Sequence, residues 1–146
     1  MHSPFYENLK NTKNYSTFRF TSFGKIEIVK IVEFQTTLEE GVYNLAMGDL
    51  IGEDFYIDTS NSNNGDMKKV LTTVVNIVQI YTKKYPDRSV FITGNSETRN
   101  NLYQRILRMY YLTFTDEFNI WGYLSKEVKE PFDPNNNYVA FIVKRK

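Results

Sequence analysis

Apolar and polar residues alternate along the first third of the chain and then change to a helical period. Phe18-Arg19-Phe20-Thr21 alternates with period two, the signature of a half-buried strand. Ser22-Phe23-Gly24 reads as a turn, because Gly accepts the positive φ that tight hairpins often need. Residues 25–35 form a long second strand with Ile26, Ile28, Val32 and Phe34 on one face. Lys30 interrupts that face while Val29 and Ile31 occupy the other, which predicts a bulge or a strand covered on both sides. Residues 42–47 give a third strand, begun after Gly41 and closed by Gly48-Asp49, and residues 55–57 a short fourth.

After a polar loop at residues 59–65 the period becomes 3.6. Met67, Val70, Leu71, Val74, Val78, Tyr81 and Tyr85 recur three and four apart, one stripe of a helix over residues 66–84. Asn63 or Asn64 can cap it, and Asp66 suits the positive helix end. Lys83 and Lys84 suit the other end, and Pro86 stops the helix. Residues 90–92 are a short strand, apolar on both faces. Asn95-Ser96 caps a second helix reaching about residue 112, with Leu102, Tyr103, Ile106 and Tyr110 inward. Residues 118–124 and 138–144 are strands joined by a loop with Pro131, Pro134 and three asparagines. The order is β-β-β-β-α-β-α-β-β. It predicts one α+β domain over residues 1–146, with residues 1–14 a loose lead-in. The sheet should be single, mixed and mostly antiparallel, of six or seven strands with two main helices. The strand-helix-strand units in the middle favour parallel neighbours.

Composition narrows the chemistry. The 146 residues suffice for one buried core. Eighteen basic and 17 acidic residues leave a net charge of +1. No overall basic field draws nucleic acid or an anionic membrane. The chain has no cysteine, so disulfides, thiol nucleophiles and thiolate metal sites are excluded. Its single histidine, His2, cannot build a triad or a multi-histidine metal site. The oxygen-rich run from Ser60 to Asp66 fails as a calcium loop, since Leu71 stands where a bidentate Glu is needed. No metal is expected. No apolar run approaches the roughly 20 residues of a membrane span, and no apolar core follows the N-terminus. A cytoplasmic, bacterial protein is the expectation.

Arg99 is the most informative single residue. It shares a helix side with Tyr103, Ile106 and Tyr110 and lies in the first turn, where the helix dipole favours anions instead. That turn opens at the carboxyl end of the preceding strand, a common ligand position. Arg99, Asn95, Ser96 and free backbone N–H groups could hold an anion there. The structural alternative is a salt bridge from Arg99 to Asp49, Asp58 or Asp66. Arg105 and Arg108 point away and read as a solvated face.

The stretch from Val90-Phe91-Ile92-Thr93-Gly94-Asn95 through Leu102-Tyr103-Gln104-Arg105 resembles the later part of an acyl-CoA N-acyltransferase domain. The resemblance covers residues 55–144 in element order. It implies CoA or acetyl-CoA as cofactor, with its pyrophosphate near Asn63, Asn64 and Gly65, and Tyr103 as the catalytic acid for the departing thiolate. The chain departs from the family in having one Gly and an acidic residue in Asn63-Asn64-Gly65-Asp66, and no helix between its first two strands. The whole chain also resembles an uncharacterised family of small bacterial proteins, through Ile31-Val32-Glu33-Phe34, Val42 to Asp49, Asn63 to Asp66, Arg99 with Leu102-Tyr103, and Ala140 to Arg145.

Three readings follow. The leading one is a binding or regulatory module acting through a protein partner or a homodimer. The second is a CoA-dependent acyltransferase or a degenerate relative. The third is nucleic-acid contact through Lys68, Lys69, Lys83, Lys84 and the tail Lys144-Arg145-Lys146 with exposed Tyr for stacking. The sequence disfavours this third reading, because lysines at helix ends are usually just solvated.

Overall fold

The computed structural model describes residues 4–51, 54–57, 64–93 and 97–146. The protein is α+β. Its strands are β1 (Lys10–Asn11), β2 (Thr17–Phe23), β3 (Glu27–Thr36), β4 (Val42–Ile51), β5 (Asp54–Ile57), β6 (Ser89–Ile92), β7 (Phe118–Tyr123), β8 (Lys129–Pro131) and β9 (Ala140–Arg145). Its helices are α1 (Met67–Lys84), α2 (Glu97–Met109) and α3 (Tyr111–Glu117). Among the described residues the strands make one mixed sheet in the order β1-β2-β3-β4-β6-β9-β7-β8, with β5 added on β4. The β4–β6 pair is parallel and the other pairs described below are antiparallel. The sheet exceeds the expected six or seven strands because β1 and β8 are two and three residues long, too short to show a period.

The chain forms two compact units. The first comprises Met1–Gln35 and Leu45–Lys84. Here β2 and β3 pair without a bulge from Thr17↔Glu33 to Phe23↔Glu27. Phe18, Phe20, Val32 and Phe34 therefore share one face, and all are buried. Helix α1 covers it with Val70, Leu71, Val74, Ile77, Val78 and Tyr81, and the Tyr81 ring stacks on Phe34 at 3.7 Å. Each such side chain contributes roughly 1.5–3 kcal/mol by leaving water. Lys30 lies on this same face and is 1% exposed. Its ammonium meets Asp49 at 2.6 Å, so an ion pair, not a bulge, accommodates the charge, and Ile31 on the opposite face is buried too, as for a strand covered on both sides. Strand β4 runs on through Gly48-Asp49 instead of ending there because β5 pairs with it from Gly48↔Ile57 to Ile51↔Asp54.

Gly24 does not supply a positive φ. A Cβ at Gly24 would lie 1.8 Å from the Asn64 carbonyl oxygen, so close approach of the 64–66 segment excludes a side chain. Residues 6–11, within the expected lead-in, are tied down. Tyr6 N–H donates to Thr73 Oγ1 at 2.8 Å, and β1 pairs with β2.

The second unit comprises Thr36–Asn44 and Tyr85–Lys146. One face of its sheet carries Val90, Ile92, Ile120, Phe141 and Val143, all buried. Tyr103, Ile106, Leu107, Phe114, Phe132 and Tyr138 complete this core. Tyr138 lies flat on Gly122, where a Cβ would meet its ring at 2.4 Å. The expected single helix to residue 112 is broken at Tyr110, whose φ of −107° and ψ of 26° leave the α region. The break turns Phe114 inward and leaves Leu112 exposed.

Candidate functional site

A groove of about 350 Å³ opens in the first unit, lined by Tyr6, Glu7, Asn8, Lys10, Arg19, Phe20, Thr21, Phe23, Val29 and Leu50. Its geometry follows from where the β1–β2 ladder stops. The two strands pair only at Lys10↔Arg19 and Asn11↔Phe18. A tight turn, Leu9 N–H to the Glu7 carbonyl at 3.0 Å, then lifts the chain off the strand. Past that point the outer edge of β2 has no neighbouring strand among the described residues.

The direction of that edge can be read from two bonds. The Thr17 carbonyl accepts from Thr12 N–H at 3.1 Å, and Phe23 N–H donates to the Tyr6 hydroxyl at 3.0 Å. Main-chain groups of a strand alternate sides with period two. The odd residues of β2 thus turn outward, and Thr21 directs its N–H and C=O into the groove. Side chains alternate as well. Arg19, Thr21, Phe23 and Val29 stand on the face opposite α1, and Lys10 stands beside Arg19 through its register. Among the described residues the groove therefore combines an open peptide edge, apolar walls from Phe23, Val29 and Leu50, and the cations Lys10 and Arg19 with the carboxylate of Glu7.

Tyr6 anchors one end of the groove. Its ring stacks on Phe20 at 5.8 Å, with Lys69 Nζ 4.5 Å from the ring centroid. Its hydroxyl donates to Asp66 Oδ2 at 2.5 Å, and the buried Ser22 hydroxyl donates to the same oxygen. Burial raises the Tyr6 pKa, and the bond to the Asp66 carboxylate raises it further.

Of the residues expected to bind ligand, Asn64, Gly65 and Arg99 are not among those that line this groove. Asn63, Asn95 and Ser96 lie outside the described residues. Asn64 is 5% exposed and its amide is fully committed. Nδ2 donates to Ser22 Oγ at 2.9 Å and to the Ile26 carbonyl at 2.8 Å, while Oδ1 accepts from Ile26 N–H at 2.9 Å. Its own carbonyl accepts from Lys25 N–H at 2.8 Å. Gly65 adopts φ +84°, so the chain turns there and brings Asp66 under Ser22 and Tyr6. This segment clamps the β2–β3 hairpin to the start of α1. The Asn64 side-chain donors are thus spent within the protein, and the Asp66 carboxylate beside them accepts from Tyr6 and Ser22.

In the second unit Arg99 is 5% exposed and Tyr103 is 3% exposed. Arg99 is engaged inside the protein. Burial raises the Tyr103 pKa, and the Arg99 charge only partly opposes it. Asp49 pairs with Lys30, and Asp66 serves Tyr6 and Ser22. Asp58 lies outside the described residues.

Sequence reasoning missed a second polar row on α2. Asn100, Gln104 and Arg108, four apart, hold the 133–138 loop. Asn100 Nδ2 and Gln104 Nε2 donate to the carbonyls of Tyr138 and Asn136. Gln104 Oε1 accepts from Tyr138 N–H at 3.0 Å, and Arg108 Nε donates to the Pro134 carbonyl at 2.5 Å. Arg108 is thus exposed but structural, while Arg105 is exposed as expected. The groove itself left no signal, because Tyr6, Lys10 and Arg19 become neighbours only through pairing.

Among the described residues no cluster of acidic residues or histidine could hold a metal ion. No helix among them is long and apolar enough to cross a membrane. No curated protein and no solved structure is similar enough to this chain to count as a relative. A family model matches residues 2–146, nearly the whole chain, and the protein belongs to that family, described as a family of unknown function, DUF6934.

Proposed function

We propose that the protein is a binding module that holds an extended segment of a partner protein along the open edge of β2. The observation that carries this reading is the groove at Thr21. Among the described residues no strand meets the main-chain N–H and C=O of Thr21, and they line it together with apolar walls and the Lys10–Arg19 pair. Strand addition supplies affinity through the main chain and specificity through alternate side chains. Leu50 and Val29 favour apolar side chains at alternate positions, and Lys10 and Arg19 favour a carboxylate beside them. Free strand edges are normally blunted by charge or short strands. Here β1 blunts only the first half of β2 and the Tyr6 hydroxyl takes the Phe23 N–H, which leaves Thr21 as the outward position between them.

Amide hydrogen exchange resolved to single residues tests the proposal. The Thr21 amide should exchange quickly in the free protein. It should become protected on adding a short acetylated peptide alternating Leu and Asp. Arg19→Glu should weaken that peptide without lowering the melting midpoint, since Arg19 is exposed. Strong protection of the Thr21 amide in the free protein would show the edge already satisfied and remove the reading. So would peptide-induced protection confined to other segments.

A further inference from the structure

The second unit has an open sheet face whose composition follows from register alone. Asn44 pairs with Phe91, Phe91 with Ile142, Ile142 with Trp121 and Trp121 with Pro131. These five residues form one row across five strands, on the side away from the buried Val90, Ile120 and Phe141. Neighbouring positions of the same face hold Asn119, Tyr123, Lys129, Ala140 and Lys144. Trp121 is 39% exposed, Phe91, Tyr123 and Ile142 are half-buried, and Pro131, Lys129 and Lys144 are exposed. None of these positions is acidic.

The three rings form a cluster. Tyr123 and Phe91 meet edge to face at 5.6 Å, and Lys129 Nζ stands 5.7 Å from the Trp121 ring and 6.0 Å from the Tyr123 ring. Adjacent strands lie about 4.8 Å apart and alternate residues about 6.8 Å apart along a strand. Rings at these spacings can each receive one base of an unstacked strand. Four-stranded RNA-binding sheets stack two or three bases in this way. Lysines beside the rings then meet the phosphates.

We propose that this face binds single-stranded nucleic acid, with bases stacked on Trp121, Tyr123 and Phe91 and phosphates held by Lys129 and Lys144. Charge decides against a second copy of the chain, because two such faces would bring like-charged lysines together. The sheet edge beside it does not invite strand pairing either. Strand β8 has three residues and ends in Pro131, which has no N–H to donate. With only two lysines the electrostatic part is small, so affinity rests on stacking. Stacking also tolerates any base, which makes the expected sequence preference weak. The cation over Trp121 is no obstacle: Lys129 is an exposed, flexible side chain that can move from the ring to a phosphate as a base arrives.

Trp121 is the only tryptophan of the chain, so its fluorescence reports on this face alone. The probe is an oligothymidylate of about ten nucleotides, within the length such surfaces cover. At roughly 50 mM salt, titration should quench Trp121. The logarithm of the affinity should fall with the logarithm of salt with a slope of about −1.4, from two phosphate contacts. Lys129→Ala and Lys144→Ala should each reduce that slope by about 0.7. Tyr123→Ala should weaken binding by roughly fivefold or more. Circular dichroism identifies a misfolded Tyr123→Ala, and the exposed lysine variants then carry the test. Absence of quenching at millimolar nucleotide overturns the proposal, as does quenching indifferent to salt and to both lysines. If an acidic, leucine-containing peptide shifts the Trp121 emission and the oligonucleotide does not, the occupant is a protein and the proposal falls. A concentration-dependent shift that sedimentation matches to a dimer assigns the face to a second copy, with the same consequence.

Discussion

Replacing Asn64 separates a clamp from a ligand site. Its side chain makes three hydrogen bonds inside the first unit, two from Nδ2 and one to Oδ1. Each typical intramolecular hydrogen bond contributes a net ~0.5–1.5 kcal/mol. Asn64→Ala therefore removes about 3 kcal/mol. The Ile26 backbone groups it strands are at an exposed turn, where water can replace part of the loss. The Ser22 hydroxyl is fully buried and keeps its bond to Asp66 but loses the Asn64 donor. For a chain of this length, 3 kcal/mol lowers the melting midpoint by roughly 6–12 °C. Asn64→Asp should do more harm despite its equal size. A carboxylate would face the Ile26 carbonyl in place of a donor, close to Asp66. Burial and that neighbour would raise its pKa above the ordinary ~3.9. The folded state would then hold a proton that the unfolded state releases. The deficit of Asn64→Asp should accordingly grow as pH rises from about 4 towards neutrality. Chemical unfolding of parent and both variants at pH 4, 5.5 and 7 measures this. An Asn64→Ala protein as stable as the parent would refute the reasoning and return Asn64 to the candidates for ligand contact.

Three further outcomes are expected. Arg99→Ala should lower the melting midpoint, since Arg99 is buried and engaged, and phosphate at matched ionic strength should stabilise neither parent nor variant; phosphate stabilisation of the parent alone would instead mark an anion site. Tyr103 has its pKa raised on folding by burial, so its contribution is fully present below about pH 10 and is lost as pH climbs through the folded value; Tyr103→Phe should therefore lose less stability than the parent between pH 9 and pH 11, and equal losses by urea midpoint would contradict this. Val74→Asp buries an unpaired charge at a fully buried position and should cost about 4 kcal/mol or more, which a folded variant with parental midpoint would disprove.

The elements that periodicity located are those whose burial is one-sided. Helix α1 begins one residue from its expected start, because Val70, Val74, Val78 and Tyr81 all turn to the same buried face. Strand β7 alternates buried and exposed residues throughout, and its sequence shows it. The failures are cases where a polar residue is buried with a partner far along the chain. Lys30 looks like an interruption until Asp49 stands beside it. Asn100 and Gln104 look like a wet helix side until the backbone of residues 136–138 meets them. Tyr110 breaks its helix without Pro or Gly, so no local signal marks the stop.

The same distinction applies to sites. Asn64, Gly65 and Arg99 stand out in the sequence because polar or flexible residues at helix starts so often serve ligands. Here their local prominence has a structural cause: Asn64 and Gly65 fix a hairpin to α1, and Arg99 is buried in the first turn of α2. The residues with surface left to offer are locally unremarkable. Thr21 is one position in an alternating strand, and Trp121 and Phe91 are thirty residues apart. Their significance arises from pairing. The β1–β2 ladder ends before Thr21, and β9 lies between β6 and β7, so that Ile142 joins Phe91 to Trp121. Both placements depend on strand order, which one sequence does not specify because the same alternation is compatible with many orders. A variant that shifts the register of β9 by one residue would test this dependence directly. It would move Ile142 to the buried side and Phe141 to the open one, dispersing the row that joins Phe91 to Trp121. Trp121 emission would then report a changed environment while α1, in the other unit, kept its exchange protection. Unchanged Trp121 emission in such a variant would mean that the row is not set by β9.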